Sequence, residues 1–411
     1  MKKIFFSFVA LAALAACTKS EVAYDDTPQE IGFVAVANNI TKAPVSGEVF
    51  PTDLNLYVNS YVHQTTPPTA PDYIANGEFK HKSDNTWSGI KPYYWPNEKT
   101  LHFSGFSKSG NFAALNAQPT ASTNPSASYN PSTDVLTITN YTPGTGFATK
   151  DGATVTVAND LMWFPSTKNT VGKESGYGKG AEPVTAKMYH TCAWITFLVQ
   201  GNAVTGGENS TYTITSLTMN GVDMTADLEC KGTISTTKEV DGESITSTKN
   251  VSDDGSDLSE FIKWSKINQN TEGESYNVQV YKSADGNSSA VELKNTYNKP
   301  KNLETGAETT VSDVQTTYPT TGGNIVVIPQ KPGSINLAWT YKSTTNADIS
   351  DSATGLSLQL TTDADDVNNV WEPGKHYVYT ITVTASEILI SPTPVEWVNG
   401  DMTGNGGVTV E

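Results

Sequence analysis

The segment VTAKMYHTCAWITFLVQG, Val184–Gly201, decides the fold class. From Tyr189 onward the odd positions Tyr189, Ala193, Ile195, Phe197 and Val199 are mostly apolar, and the even ones are mixed. That period of two marks a strong central β-strand. The same signature recurs on both sides. In EIGFVAVANN (30–39), Ile31 and Phe33 share one face and Val34 and Val36 the other. In DLNLYVNSYV (53–62), Leu54, Leu56, Val58 and Val62 share a face, as in a half-buried strand. LHFSGFS (101–107), DVLTITNY (134–141), ATVTVAND (153–160) and DLMWF (160–164) follow, and TPPTAP (66–71) is a breaker. Downstream lie YTITSLTMNG, YNVQVYKS, NIVVIPQ, INLAWTYKS, LSLQLTT and HYVYTITVTASEILIS. Many short strands separated by turn signals predict an all-β chain of β-sandwich units.

One stretch suggests a helix, SDLSEFIKWSKI, with Asp257 as cap, Glu260 three residues on and Leu258, Phe261 and Ile262 at helical spacing. Ser166 to Pro183 is rich in Gly, Lys and Ser without apolar periodicity and reads as a long interdomain loop. The expected layout is a leader (1–16), a tether (17–28), an N-terminal sandwich (29–182), a C-terminal sandwich (183–390) and a tail (391–411).

The leader has its own logic. Lys2 and Lys3 precede an apolar run from Ile4 to Ala16. A bilayer needs about 20 apolar residues, so this run fits the centre of a secretory signal and not a span. It ends in Leu14-Ala15-Ala16-Cys17, which resembles the lipobox of bacterial lipoproteins. There the cysteine thiol carries diacylglycerol and the new amino group is usually acylated. Several acyl chains on Cys17 hold a protein durably, where one chain holds only marginally.

Composition narrows the function. The net charge is −17, and it falls by two, to −19, when Lys2 and Lys3 leave with the signal. A polyphosphate partner is repelled, which disfavours nucleic acid. All 26 basic residues are lysine. Cys192 and Cys230 remain once Cys17 is lipidated; in an exported chain they are candidates for a disulfide, or else small buried apolar residues. The five histidines fall outside zinc-binding spacings, and the chain lacks a nucleophile elbow and a phosphate loop. DDGSDLSE (253–260) lacks the alternating ligands of a calcium loop and reads as a solvated approach to the helix cap. The expectation is a non-enzyme with no metal and no cofactor; carboxylates are plentiful, but nothing in the sequence singles out a hydrolytic pair.

Several segments together resemble the fimbrillins of Bacteroidales, the pilus subunits known from Porphyromonas major and minor fimbriae. They are the lipobox followed by IGFVAVANNITKAP; WSGIKPYYWPNEKTLHFSGFS, with Trp87, Trp95-Pro96, Leu101 and Phe103; NDLMWF; PVTAKMYHTCAWITFLV, with His190 in the long apolar strand; NIVVIPQ; and WEPGKHYVYTITVTASEILISPTPVEW. Read structurally, Trp95-Pro96 is a turn, Gly374 a turn glycine, and Tyr377 and Tyr379 alternate strand residues.

The resemblance implies two tandem transthyretin-like β-sandwich domains and export as a lipoprotein. It also implies polymerisation by strand exchange, in which a surface protease removes the first strand and the groove accepts a C-terminal strand of the next subunit. Mapped here, the removable strand is about Glu30 to Ala37. The cut falls after Lys42, the one lysine between Lys19 and Lys80, so a lysine-accepting protease is required. The donor comes from the tail, where Ile388 and Ile390, Val395 and Trp397, and Val408 and Val410 alternate. Gly404, Gly406 and Gly407 weaken it as a long strand, leaving tip, anchor and adhesin roles open beside the stalk role. The implied partners are other pilus subunits, the outer membrane through the lipid on Cys17, and a host or bacterial surface ligand. Glu21, Asp25 and Asp26 resemble a surface-export signal. The alternative function is a glycan-binding surface lipoprotein.

Overall fold

The computed structural model describes residues 28–37, 50, 54–82, 86–97, 99–108, 126–141, 161–169, 182–201, 210–223, 226–240, 243–252, 255–265, 276–282, 291–294, 299–303, 307–308, 324–343, 350–362, 369–383 and 388–396. Cys17, Lys42, ATVTVAND (153–160) and the tail after Glu396 lie outside the described residues.

Nine strands form the first part: β1 Gly32–Ala37, β2 Leu56–Val62, β3 Ile74–His81, β4 Trp87–Gly89, β5 Leu101–Lys108, β6 Ser126–Asn130, β7 Val135–Tyr141, β8 Leu161–Asn169 and β9 Val184–His190. Seven of them close a barrel in the order β1-β4-β3-β2-β5-β8-β9. Closure is made by β1, which runs parallel to β9 from Phe33↔Val184 to Ala37↔Met188 and antiparallel to β4. Inside are Ile31, Phe33, Leu56, Val58, Phe79, Trp87, Trp95, Phe103, Phe164 and their neighbours, all buried. Closing the sheet removes the free edges a flat sheet would expose.

The chain then crosses to the second part through Thr191 and Cys192. It continues as β10 Ala193–Gly201, β11 Ser210–Val222, β12 Ala226–Lys231, β13 Thr233–Val240, β14 Glu243–Asn250, helix α1 Leu258–Phe261 and β15 Ile262–Ser265. After these come β16 Tyr276–Lys282, β17 Val291–Lys294, β18 Lys301–Asn302, β19 Asn324–Val327, β20 Ser334–Ser343, β21 Ser350–Gln359, β22 Lys375–Val383 and β23 Ile388–Glu396. Two five-stranded sheets face each other: β18-β10-β22-β23 with β19 also on β10, and β16-β11-β20-β21 with β17 also on β11. Ile195, Phe197, Ile214, Leu217, Leu337, Trp371, Tyr377 and Tyr379 lie in the core between them. Tyr377 and Tyr379 share that core as alternate strand residues, and Gly374 turns the chain at φ +71° just before them. A Cβ on Gly374 would meet the Leu258 side chain at 2.7 Å, so both the backbone angle and the close approach call for glycine.

A four-stranded sheet, β15-β12-β7-β6, draws two strands from each half. It shares a third core with Tyr57, Phe106, Leu161, Trp163 and Tyr189 of the barrel strands and with Cys192, Trp194 and Val326 of the second part. The expected boundary near residue 182 therefore does not divide the strands. β9 follows it and completes the barrel, while β7, which precedes it, pairs with β12.

Three local expectations change. Val184–Gly201 is two strands and not one, because Thr191 breaks the ladder by bonding Leu161 O through its backbone N–H at 2.9 Å and its hydroxyl at 2.7 Å. β2 is buried on both faces along Leu56–Tyr61, since the shared sheet covers the side expected to face water. The expected helix is a single turn, and Ile262 and Trp264 join the sheet opposite Cys230 and Leu228. Asp257 makes no side-chain cap bond. Its carboxylate instead accepts from the Ser252 N–H (3.0 Å) and hydroxyl (2.7 Å) and pairs with Lys249.

Candidate functional site

The removable strand expected at Glu30 to Ala37 coincides with the seam of the barrel. Ile31, Phe33 and Ala35 are buried in the interior, while Val34 and Val36 are half-buried on the other face, as period-two reading requires. Phe33 sits at the centre of an aromatic cage. Its ring meets Phe79 edge-on at 4.9 Å and Phe103 edge-on at 5.4 Å, with Phe164 at 6.3 Å. Edge-to-face contacts of this kind add to the gain from area burial.

Backbone bonds hold the approach to β1. The Ile31 N–H donates to Tyr93 O at 2.7 Å, and the Trp95 N–H donates to Gln29 O at 2.9 Å. Glu30 bridges Tyr94, and its carboxylate lies 3.9 Å from the Lys82 ammonium. The Trp-Pro turn expected at Trp95-Pro96 thus does two things. It braces the start of the seam, and it buries Trp95 edge-on against Phe103 at 5.7 Å. Beyond the seam, Phe50 is buried and packs on Trp87 at 5.6 Å, and the Trp87 indole donates to Leu54 O at 2.8 Å. Residues 38–49, which carry Lys42, connect these two anchored points.

The first piece of the expected donor is occupied within its own chain. β23 pairs antiparallel with β22 from Lys375↔Glu396 to Val383↔Ile388. It contains Pro392 and Pro394, which have no N–H to offer a ladder, a composition suited to a sheet edge.

Cys192 and Cys230 lie in the shared core, fully buried. No bond joins the two sulfurs in this structure. Burial, then the neighbouring Cys192 and Glu229, push the Cys230 thiol well up, which disfavours the thiolate that disulfide exchange needs. Among the described residues, no three His, Cys, Asp or Glu side chains are grouped to hold a metal ion.

The sequence reading missed the contacts that lock the shared sheet in place. Asp134 accepts from the Tyr129 hydroxyl at 2.8 Å and the Thr233 hydroxyl at 2.8 Å, and burial raises its carboxyl above the ordinary value. The Asn76 amide donates to Ala127 O at 2.8 Å, tying β3 to β6. The Trp264 indole donates to Thr191 O at 2.8 Å, and the Gly374 N–H to Cys192 O at 2.9 Å, which fastens the crossing between the two parts. Apart from Tyr129 and Asp134, five residues apart, these pairings join residues far apart in sequence, and no local pattern signals them.

The pattern for a prokaryotic membrane lipoprotein lipid attachment site matches residues 1–18. No curated protein matches the sequence. Among solved structures, a fimbrial protein from Bacteroides vulgatus superposes with a TM-score of 0.54 at 11% identity, covering 90% of this chain and 99% of that one. The chain shares the fold of this Bacteroides fimbrial protein. Two further structures match over similar lengths with lower scores. A fimbrial assembly protein from Parabacteroides distasonis has a TM-score of 0.33 at 11% identity, covering 90% of this chain and 99% of that one. The tip fimbrial protein Mfa3 from Porphyromonas gingivalis, with C-terminal truncation, has a TM-score of 0.35 at 11% identity, covering 90% of this chain and 100% of that one.

Proposed function

We propose that this chain is a structural or adhesive, non-enzymatic subunit of a cell-surface pilus, exported as a lipoprotein and held at the outer membrane through a lipid on Cys17. The attachment-site match at residues 1–18 and the fimbrial fold support that reading. The observation that carries the assembly step is the position of β1. A single strand, bonded in parallel to β9, closes a barrel and fills its aromatic centre with Phe33.

Cleavage after Lys42 would free residues 1–42, and the lipid and β1 would leave together. The gap between β4 and β9 would then expose unpaired backbone groups and an apolar slot lined by Phe79, Phe103 and Phe164. A strand from a neighbouring subunit would restore both the ladder and the core. The tail is the candidate donor, and its first piece, β23, must leave β22 before it can pair elsewhere.

The test is limited cleavage of the folded protein with a lysine-specific protease, followed by N-terminal sequencing and electrophoresis in denaturant. Assembled material beginning at Ala43, seen as a denaturant-resistant ladder, is the expected outcome. Assembled material that retains Cys17 would refute the cleavage step. A nicked protein that stays monomeric would exclude self-polymerisation and restrict the subunit to accepting a different partner.

A further inference from the structure

We infer that, in the membrane-attached form, the loop following β4 rests on the lipid surface with Ile90 and Tyr94 at the headgroup boundary. This rests on the reading of Cys17 as lipid-bearing. Three large hydrophobic side chains are exposed among the described residues: Ile90 (53%), Tyr94 (44%) and Ile245 (52%). Two of the three fall within one five-residue stretch, Ile90-Lys91-Pro92-Tyr93-Tyr94, in which Lys91 and Pro92 are also exposed. Tyr73 adds a half-buried ring, its hydroxyl donating to Tyr94 O.

The position of this loop identifies the occupant. Tyr94 bridges Glu30 and Trp95 bonds Gln29, so the loop flanks the first described residues of the chain. Only residues 18–27 separate Cys17 from Pro28, and the eleven extended steps between them reach at most about 40 Å. The lipid on Cys17 therefore keeps a bilayer within that distance of Pro28, two residues before Glu30, the bridge partner of Tyr94. A short tether also raises the effective concentration of the surface to the order of millimolar, so a contact too weak to recruit the protein alone can still orient it.

The chemistry suits a headgroup boundary. A tyrosine combines an apolar ring with a polar tip, the residue type enriched at that depth, and Ile90 supplies apolar area. The net charge, −17 for the whole chain and more negative once Lys2 and Lys3 leave, argues against attraction to an anionic surface, so the contact is apolar and interfacial, not electrostatic. Ile245 lies on the β13–β14 hairpin, which among the described residues no such bond ties to the chain start, and it serves as the control position.

The experiment uses the full-length lipidated protein in phosphatidylcholine vesicles. A polarity-sensitive fluorophore is placed through Ile90→Cys, Tyr94→Cys or, as control, Ile245→Cys; the buried Cys192 and Cys230 do not compete for label. The expected result is blue-shifted emission at 90 and 94, quenched at least twofold by lipids bearing a nitroxide near the headgroup, with emission at 245 unchanged. Water-like emission at 90 and 94 in protein that co-floats with the vesicles overturns the inference. So does equal or greater quenching at 245. Flotation of the unlabelled protein, and its loss in Cys17→Ala, tests the anchor separately. Failure to float removes the anchor reading, and this inference with it.

Discussion

The imidazole of His376 lies flat on the indole of Trp194, with centroids 3.6 Å apart and planes within 3°. The two residues are register partners in the parallel pair β10–β22, and His376 Nε2 lies 2.8 Å from the Thr196 hydroxyl. Nδ1 is buried without a hydrogen-bond partner. Burial pushes the imidazole pKa from 6.5 down to about 3.

This geometry predicts acid sensitivity. The folded state keeps His376 neutral to about pH 3, while the unfolded chain protonates it below about 6.5. The stability tied to this group is present in full above pH 6.5 and is lost progressively as pH falls toward 3. At pH 5 the loss is about 2 kcal/mol, at about 1.4 kcal/mol per unit below 6.5. Urea midpoints at pH 7.5 and 5.0 measure it, and the His376→Gln protein should show a smaller drop between the two. An equal drop in both proteins would refute the assignment.

Phe33→Ala empties the centre of the barrel seam. Loss of a large aromatic from a closed core costs about 3–5 kcal/mol. Val34→Ala, on the half-buried face, should cost well under half as much. Thermal or urea unfolding compares the two. If β1 is the releasable strand, Phe33→Ala should also speed proteolysis around Lys42 in the otherwise folded protein.

Gly105→Ala tests how tightly the barrel wall is drawn. A Cβ there would stand 2.2 Å from Tyr57 O and 2.7 Å from the Phe164 ring, and the carbonyl belongs to a paired strand that cannot swing aside. Overpacking of this kind costs about 1–3 kcal/mol or more. The expected outcome is a lowered unfolding midpoint, with the strand content seen by circular dichroism preserved at low temperature.

Cys192 and Cys230 should resist a thiol reagent in the native protein and both react once it is unfolded in urea without reductant. One thiol per chain, or none, under those conditions would show that oxidation had occurred.

Much of this was legible from alternation alone. Phe33 against Val34 and Tyr377 with Tyr379 sit as period two requires, because a strand with one interior face carries its own record of which face that is. Reading failed where burial came from elsewhere in the chain. β2 looked half-exposed because its outer face is covered by strands some 70 to 200 residues downstream. Ile262 looked helical by spacing, yet the sheet at Cys230 claimed it, with Trp264 following opposite Leu228. Asp134 meets Tyr129 locally, across the β6–β7 hairpin, but nothing local marks its bond to Thr233, which reaches it only once β12 pairs with β7. The seam could be inferred from the resemblance, but its cage of Phe79, Phe103 and Phe164 required the register.

The crossing at Thr191 and Cys192 has a mechanical meaning. β9 and β10 follow one another with two residues between them, and each lies parallel to a partner, β1 on one side and β22 on the other. Tension pulling β9 against β1, or β10 against β22, along the strand axis loads the ladder bonds in shear. They must then yield together, whereas a strand peeled from its end gives way one bond at a time. A subunit joined to its neighbours at these two seams would carry traction along its length as a cable does, and would be weakest to forces applied across it.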